Sequence, residues 1–470
     1  MLENMYPTNE MRALYAKKRL AIETVSIPKT KLDDYKASGW RLDRELTRSL
    51  RMTREKSKPR LLEDHMWVLM YRMGFQHLSG HGGALLKQGS DGSGPTSQID
   101  VVAIDDEVAV AIECKSSEKY AKRPQFSEEM SKHALIRGRL AQAVSSLWPL
   151  DQKRQIILIM MMSNIQLTDN DKARAAAENI VIMDDHDLQY YTALVGHLGP
   201  AARYQFLADM LPGKRIPGLA IRVPAVRTKM GGVDCFNFSI SPEYLLKIAY
   251  VSHRAKGKGS DVNTYQRMIS KGRLAKISQY ITNRGIFPTN IVINLEADRV
   301  QFERVKQETG TSENGTLGWL DIRPTYKAAW VIDGQHRLFA YSGHPHAHRD
   351  RLAVLAFRGL SPSKQAELFI DINAKQKSVK QSLLQELYAE LHWDAEKPSV
   401  RVLAIISKTV QLLEQDRNSP FFQRIKTADA ERDPKRCITY QSLDSAIGKA
   451  KLHIVREKNG QPLEFGPLWP

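Results

Sequence analysis

The longest unbroken apolar run in the chain, Ile156 to Met162 (IILIMMM), has seven residues. A membrane-spanning helix needs about 20, so no membrane association is expected. A run of this length fits a strand buried on both faces. Its neighbours fit the same architecture. Gln98–Ile104 and Val108–Lys115 are short apolar runs joined by Asp105-Asp106-Glu107, the pattern of a hairpin. A helical segment follows over Ser127–Ser146, then the buried strand, a helix over Asp169–Glu178 and a short strand over Ile180–Met183. Such alternation predicts an α/β domain. Upstream, Leu62, Met66, Leu69 and Met73 recur on one face of a helix over Leu61–Gly74, with Gly74 as its stop. The Gly/Ser-rich stretch Ser79–Ser97 reads as a loop.

A Pro/Gly-rich passage, Leu211 to Pro224 (LPGKRIPGLAIRVP), marks a boundary to a second region. That region holds a helix around Val262–Thr282, a strand at Asn290–Leu295, a strand at Ala328–Ile332 running into a helix, and mainly helices after Ser361. The 470 residues suffice for several cores. They divide into a basic N-terminal arm (1–57), a first α/β domain (58–200) and a second, α+β domain (215–470). Three scattered cysteines, Cys114, Cys235 and Cys437, form no CxxC pair. That argues against a zinc ribbon or a disulfide framework and for a reducing, cytoplasmic setting. The N-terminus lacks the apolar core of a signal peptide.

Lys and Arg (69) outnumber Asp and Glu (52), a net charge of +17 that points to a polyanionic partner, with nucleic acid first. The surplus is uneven, since Met1–Arg60 carries 15 basic and 8 acidic residues. Arg41, Arg44, Arg48, Arg51, Arg54, Lys56, Lys58 and Arg60 recur largely at three- and four-residue spacings, which predicts a basic stripe on a helix. A second cationic segment is His253-Arg-Ala-Lys-Gly-Lys-Gly-Ser260. Arg48, Arg51, Arg54, Lys56, Lys58, Arg254, Lys256 and Lys258 are the expected contacts to a DNA backbone, salt-sensitive and indifferent to sequence. A solvated surface would account for the same charges.

The hairpin carries Asp100 on one strand and Glu113-Cys114-Lys115 on the next. Glu113 and Lys115 lie two apart, so they share a face. A two-residue turn at Asp106-Glu107 pairs position 100 with 113; a turn at Asp105-Asp106 pairs it with 111 and leaves 113 as the diagonal neighbour. Either register gathers Asp100, Glu113 and Lys115 on one side. Two carboxylates at that spacing repel unless a cation lies between them, and oxygen ligands suit Mg²⁺ (or Mn²⁺). A metal-bound water beside an ammonium is what phosphodiester hydrolysis requires. Over roughly Lys58 to Leu194 the chain resembles Mrr-like members of the PD-(D/E)xK nuclease superfamily. A helix with an acidic residue near its start (Glu63 in LLEDHMWVLMYRMGF) precedes the D…ExK hairpin, and IILIMMM…DKARAAAENIVIMDDHDL follows it. The resemblance implies a restriction-endonuclease-like α/β domain, with Asp100, Glu113 and Glu63 as metal ligands and Lys115 as the residue that orients water.

Further on, Ala328-Ala-Trp-Val-Ile-Asp333-Gly334-Gln335-His336-Arg337 reads as a strand, a sharp turn and the start of a helix. Gly334 permits a tight turn or close approach of a ligand. Amides at a helix start attract an anion, Arg337 adds a bidentate phosphate contact, and His336 is a candidate for phosphate binding or proton transfer. The plain structural reading has Asp333 capping the helix and Arg337 pairing locally. From about Arg215 onward the chain is similar to the DGQHR-domain family, which includes DndB-type proteins of DNA phosphorothioation systems. The pentapeptide is complete, with Tyr265-Gln266-Arg267 before it and Glu367 to Lys377, including Asn373 and Gln376, after it. The family's loop resembles that of ParB/sulfiredoxin-like proteins. The resemblance implies nucleotide binding or sensing of DNA state, with Asp333, Gly334, Gln335, His336, Arg337, Gln266, Arg267, Asn373 and Gln376 as candidate nucleotide-binding residues. Together these readings predict a Mg²⁺-dependent DNA endonuclease, governed by a nucleotide or by DNA modification, that acts in defence against foreign DNA. Homo-oligomerisation and a DNA-modification or defence-system partner are expected. The alternative is a DNA-binding regulator or NTPase accessory factor of a modification system whose nuclease-like domain is silent.

Overall fold

The structure is a computed structural model that describes all residues except 88–93, 123–125, 252–270, 306–314, 375–397, 427–433, 451–454, 457–461 and 464–470. Two compact units divide the chain: Met1–Phe206 with Ile216–Gly218, and Leu207–Arg215 with Leu219–Pro470. Each is a mixture of sheets and helices, so the protein is an α/β protein of more than one unit.

The first unit opens with β1 (Leu2–Glu3), β2 (Met5–Pro7), α1 (Arg12–Lys18), β3 (Ile22–Ile27), α2 (Leu32–Ala37), β4 (Arg41–Glu45) and β5 (Leu50–Glu55). The order β3-β5-β4 forms an antiparallel sheet, which corrects the helical stripe expected over Arg41–Arg60. Leu50 and Met52 alternate with Arg51 and are buried with Ile27 against Val25, Leu32, Tyr35 and Trp40. Burying one such side chain contributes about 1.5–3 kcal/mol, whereas a stripe of like charges contributes none. The period of two in the apolar residues therefore wins over the spacing of the arginines.

Next come α3 (Lys58–Arg72), β6 (His77–Ser79), β7 (Ala84–Lys87), β8 (Thr96–Ile99), β9 (Val101–Ile104), β10 (Val108–Lys122), α4 (Ser127–Leu147), β11 (Gln155–Gln166), α5 (Asp169–Ala177), β12 (Ile180–Asp184), α6 (Asp185–Leu198) and, where the chain passes to the second unit, α7 (Ala202–Met210). Helix α3 buries Leu62, Met66, Trp67, Leu69 and Met70, and Gly74, at φ +76°, lets the chain leave it. The main sheet runs β12-β11-β10-β9-β6-β2, with β10, β11 and β12 parallel and the rest antiparallel. Parallel neighbours need long crossovers, here α4 and α5. Ile157–Met162 is buried throughout because helices and strands cover both faces. The segment Ser79–Ser97, expected as a loop, holds β7 and the start of β8, an antiparallel pair that β1 joins. Alternating Ala84 and Leu86 bury on one side of β7, which is enough to make it a strand.

The second unit contains β13 (Ile221–Met230), β14 (Val233–Ile240), α8 (Pro242–Ile248), β15 (Ala249–Tyr250), α9 (Lys271–Thr282), β16 (Ile291–Leu295), β17 (Val300–Arg304), β18 (Thr316–Ile322), β19 (Ala329–Asp333), α10 (Gln335–Phe339), β20 (Leu352–Arg358) and α11 (Pro362–Ala374). One mixed sheet, β15-β19-β16-β20-β14-β13-β18-β17, carries them. Helix α11 packs Ala366 and Phe369 against Cys235, Ile332 and Phe357. Helices Pro398–Gln415 and Tyr440–Ala450 follow, in keeping with the helical character expected after Ser361. Among the described residues, no helix is long and apolar enough to cross a membrane.

Candidate active site

Asp105 closes the β9–β10 turn. Its carboxylate accepts from the Glu107 and Val108 amides at 2.9 and 3.0 Å, and its own amide donates to the Val108 carbonyl at 3.0 Å. The turn therefore contains two residues, Asp106 and Glu107, and the register sets Ile104 opposite Ala109 and Val101 opposite Ile112. One step on, position 100 faces position 113, the first of the two registers weighed above. Pairing between β9 and β10 stops at Ile112, while β10 continues beside β11. The Cys114 amide, freed from the β9 ladder, donates instead to Asp100 Oδ2 at 2.8 Å. A side chain thus continues the hydrogen bonding where a strand has ended.

Lys115 Nζ lies 2.7 Å from Glu113 Oε1, and both side chains are partly exposed. Burial, the Glu113 charge and, more weakly, Glu63 push the Asp100 carboxyl up to about 6, against the pull of the Cys114 amide and Lys115. Burial would lower Lys115, but its hydrogen bond and charge contact with Glu113 raise it, and the Asp100 charge adds to the rise. The expected group is therefore brought together: a carboxyl strained toward protonation, a carboxylate and a firmly charged lysine. Glu63 stands further off. Its carboxylate is 3.1 Å from Arg60 Nη1, and it does not gather with Asp100 and Glu113 into a close, preformed group of ligands. Among the described residues, Asp184, His186 and Asp187 do gather closely, but their geometry is that of a helix cap. Asp184 accepts from the His186 and Asp187 amides while Asp187 accepts from the Asp184 amide, a reciprocal pairing at the start of α6.

The shift of Asp100 has a direct consequence for stability. Its folded value lies above its ordinary 3.8, so between about pH 4 and 6 the folded chain holds more protons than the unfolded one. Stability therefore falls as pH rises through that window, by up to roughly 3 kcal/mol. Urea unfolding in EDTA at pH 4.5 and 7 is expected to show the fall, and Asp100→Asn to remove most of it.

Sequence reasoning missed the support beneath this group. Asp64, next to Glu63 and 1% exposed, is held by Lys18 Nζ at 2.6 Å and Lys56 Nζ at 2.8 Å. Lys56 also donates to the Lys17 and Lys18 carbonyls. It is a buried tie for α3, which corrects its assignment as a DNA contact. Three other expected contacts have local partners: Arg51 pairs with Asp43 at 3.2 Å, Arg54 pairs with Glu23 at 2.6 Å and lies over Trp40, and Lys58 donates to the Glu118 carbonyl. Arg48 is exposed on the turn between β4 and β5. Arg254, Lys256, Lys258, Gln266, Arg267 and Gln376 lie outside the described residues, as does the Asn373 side chain.

In the second unit, Asp333 ends β19 and Gly334 turns the chain at φ +93° into α10. A Cβ at Gly334 would lie 2.6 Å from Ile291 Cδ1 and 3.3 Å from the Ile291 Cα. Gly334→Ala is expected to lower stability by about 1–3 kcal/mol, read as a drop in Tm. Asp333 does not cap α10; it receives Arg337 Nη2 at 3.0 Å. The rest of the Arg337 guanidinium donates to the carbonyl and hydroxyl of Thr289 and to the Asn290 carbonyl at 3.1 Å. The local pairing of Arg337 is the arrangement found. Burial, with a smaller push from Arg273, drives His336 down to about 4, so it is neutral at pH 7. Gln335 Oε1 is buried with no hydrogen-bond partner among the described residues. The helix itself has five residues, too short for a strong dipole at its start. Arg337 and the neutral His336 therefore offer a phosphate no free cation, and what the loop leaves open is the Gln335 acceptor.

Residues 223–457, half of the chain, match the family model DndB, described as DNA-sulfur modification-associated. The chain belongs to the DndB family. Membership associates this DndB-family chain with a DNA-modification system and with DNA. No curated protein matches it. The crystal structure of protein VC1899 from Vibrio cholerae aligns at 14% identity with a TM-score of 0.22, over 40% of this DndB-family chain and 49% of that one. The match thus spans about half of that protein's length.

Proposed function

We propose that the chain is a metal-dependent endodeoxyribonuclease of a DNA-sulfur-modification system, cutting at the Asp100–Glu113–Lys115 group. The observation that carries this reading is geometric: the hairpin register sets Asp100 opposite Glu113, and Lys115 Nζ lies 2.7 Å from Glu113 Oε1, with burial and the Glu113 charge raising the Asp100 carboxyl beside them. A structural surface pair gains nothing from such a placement; a cation site does. The oxygen donors suit Mg²⁺ or Mn²⁺, which Asp100 at the β8–β9 junction and Glu113 on β10 would hold, while Glu63 would have to leave Arg60 to join them. The ion would supply charge neutralisation at the phosphate and a more acidic water. Lys115 orients the attacking water and stabilises charge on the phosphate oxygens. Water forms a bond to phosphorus and releases one proton to solvent, one ester P–O bond breaks, and the leaving oxygen takes up a proton from solvent.

The DndB-family region is read as the part that recognises modified DNA, and nucleotide binding there would require Arg337 to exchange its internal acceptors for a phosphate. A second reading, a regulator with a silent nuclease-like domain, is favoured by the family match, which begins at residue 223 and leaves the Asp100 group outside it. Incubating sulfur-modified and unmodified plasmid with the full chain, in Mg²⁺, Mn²⁺ or EDTA and with or without ATP, GTP or CTP, separates the two. Metal-dependent linearisation or nicking supports the nuclease. Binding to DNA that stays intact under every condition supports the regulator.

A further inference from the structure

The second unit has a cavity of about 540 Å³ where the β13–β14 hairpin turn meets the end of β20 and the entry to α11, lined in part by Lys229, Asp234, Arg358, Ser361 and Lys364. We propose that this cavity is a phosphate-binding subsite, by which the second unit grips a phosphate group of the DNA backbone.

Its charges are arranged, not scattered. Lys229 stands opposite Asp234 in the hairpin register, and one step beyond the Cys235–Phe357 pair Asp234 comes level with Arg358. Asp234 is already engaged by Arg227 at 2.7 and 3.2 Å, and Arg358 Nη1 lies 3.9 Å from it. Arg358 Nη2 donates to the Ala297 carbonyl at 3.2 Å. The guanidinium is thus fixed in place while 39% exposed, and its neighbour's negative charge is shared with Arg227. Lys364 is 2.8 Å from Glu367 and adds little net charge. Lys229 is exposed and has no side-chain partner among the described residues. Two cations therefore face one cavity, and the single carboxylate in its lining is answered by Arg227.

A tetrahedral phosphate matches this donor set, since Arg358 can offer an N–H edge and Lys229 a movable charge. Among the described residues the lining holds no aromatic ring on which a base could stack, so the cavity recognises the phosphate and not the base. That property suits a backbone contact indifferent to sequence.

The proposal stands apart from DNA cutting. It is tested in the full-length Asp100→Asn chain in EDTA, where cleavage is blocked. Binding of a labelled 20-base-pair duplex is measured by anisotropy across a salt series, and ATP binding by calorimetry, for this parent and for Lys229→Ala, Lys229→Arg and Arg358→Ala. Each alanine variant is expected to weaken duplex binding and flatten the slope of log K against log salt by about 1, with Lys229→Arg keeping the parent slope. Loss of ATP binding in the alanine variants, with the duplex slope unchanged, keeps the phosphate subsite but assigns it to a free nucleotide. Alanine variants that match the parent in both arms, or a parent that binds neither probe, overturn it. Lys229→Ala is the decisive variant, because that side chain is exposed and supports no packing.

Discussion

Lys115→Ala is expected to slow Mg²⁺-dependent cleavage of plasmid DNA by at least about 10²–10³-fold, the usual effect of removing one fixed donor from a charge-developing site. Folding and DNA binding should survive, since the ammonium is partly exposed and its contact is with Glu113. Asp100 is raised because burial and Glu113 both oppose its charge; Lys115 offsets part of that and carries the positive charge that a phosphorane-like transition state needs. Lys115→Arg keeps the charge but not the point geometry, so partial activity is the expected intermediate result. Asp100→Asn and Glu113→Gln should also lose cleavage, and should lose Mg²⁺-induced thermal stabilisation with it. Cleavage that persists at the parent rate in Lys115→Ala would remove the nuclease reading and leave the regulator.

The second large effect is structural. Asp64→Ala would strip the carboxylate from between Lys18 and Lys56, whose side chains are 5% and 6% exposed. Burial already pulls Lys18 down, and only Asp64 opposes this strongly. Burial would likewise raise Asp64, but its hydrogen bonds to Lys18 and Lys56 hold it below the usual carboxylate range. Removing one partner of a buried ion pair typically costs about 3–5 kcal/mol, because charge is left without an answer. Urea denaturation is expected to show a loss of that size. Asp43→Ala, which releases Arg51 from a pair about half exposed on both sides, should stay within about 1 kcal/mol of the parent. Because Asp64 sits beside Glu63 on α3, its loss should also depress cleavage, whereas Asp43→Ala should not.

How much of this was legible in the sequence depended on range. The β9–β10 hairpin was readable because a two-residue turn fixes register over a few residues, and Asp100, Glu113 and Lys115 followed from the period of a strand. The helix α3 and the buried strand β11 were readable from apolar pattern alone. Lys56 was not, because its partner Asp64 and its carbonyl acceptors in α1 come together only through tertiary packing. Charge spacing over Arg41–Lys58 suggested one continuous basic surface, but Asp43 and Glu23 partner two of its arginines, and burial removes a lysine. Arg337 misled in the same way: a guanidinium one turn from Gly334 looks available until Thr289 and Asn290, nearly 50 residues earlier, are seen to accept from it. Short-range periodicity encodes elements. Whether a charged group is free depends on partners that no local window contains.

The hydrogen bond from the Cys114 amide to Asp100 closes the sheet where β9 ends, and it has an evolutionary consequence. An asparagine at position 100 keeps an oxygen that accepts the same amide proton, while removing the charge that a cation requires. If the group cuts DNA as proposed, one substitution would switch that chemistry off and leave the architecture standing, even relieving the cost of burying a carboxylate. Descendants of such a chain could pass between cutting DNA and merely holding it without crossing an unfolded intermediate. Position 100 is the place where those two histories would be told apart.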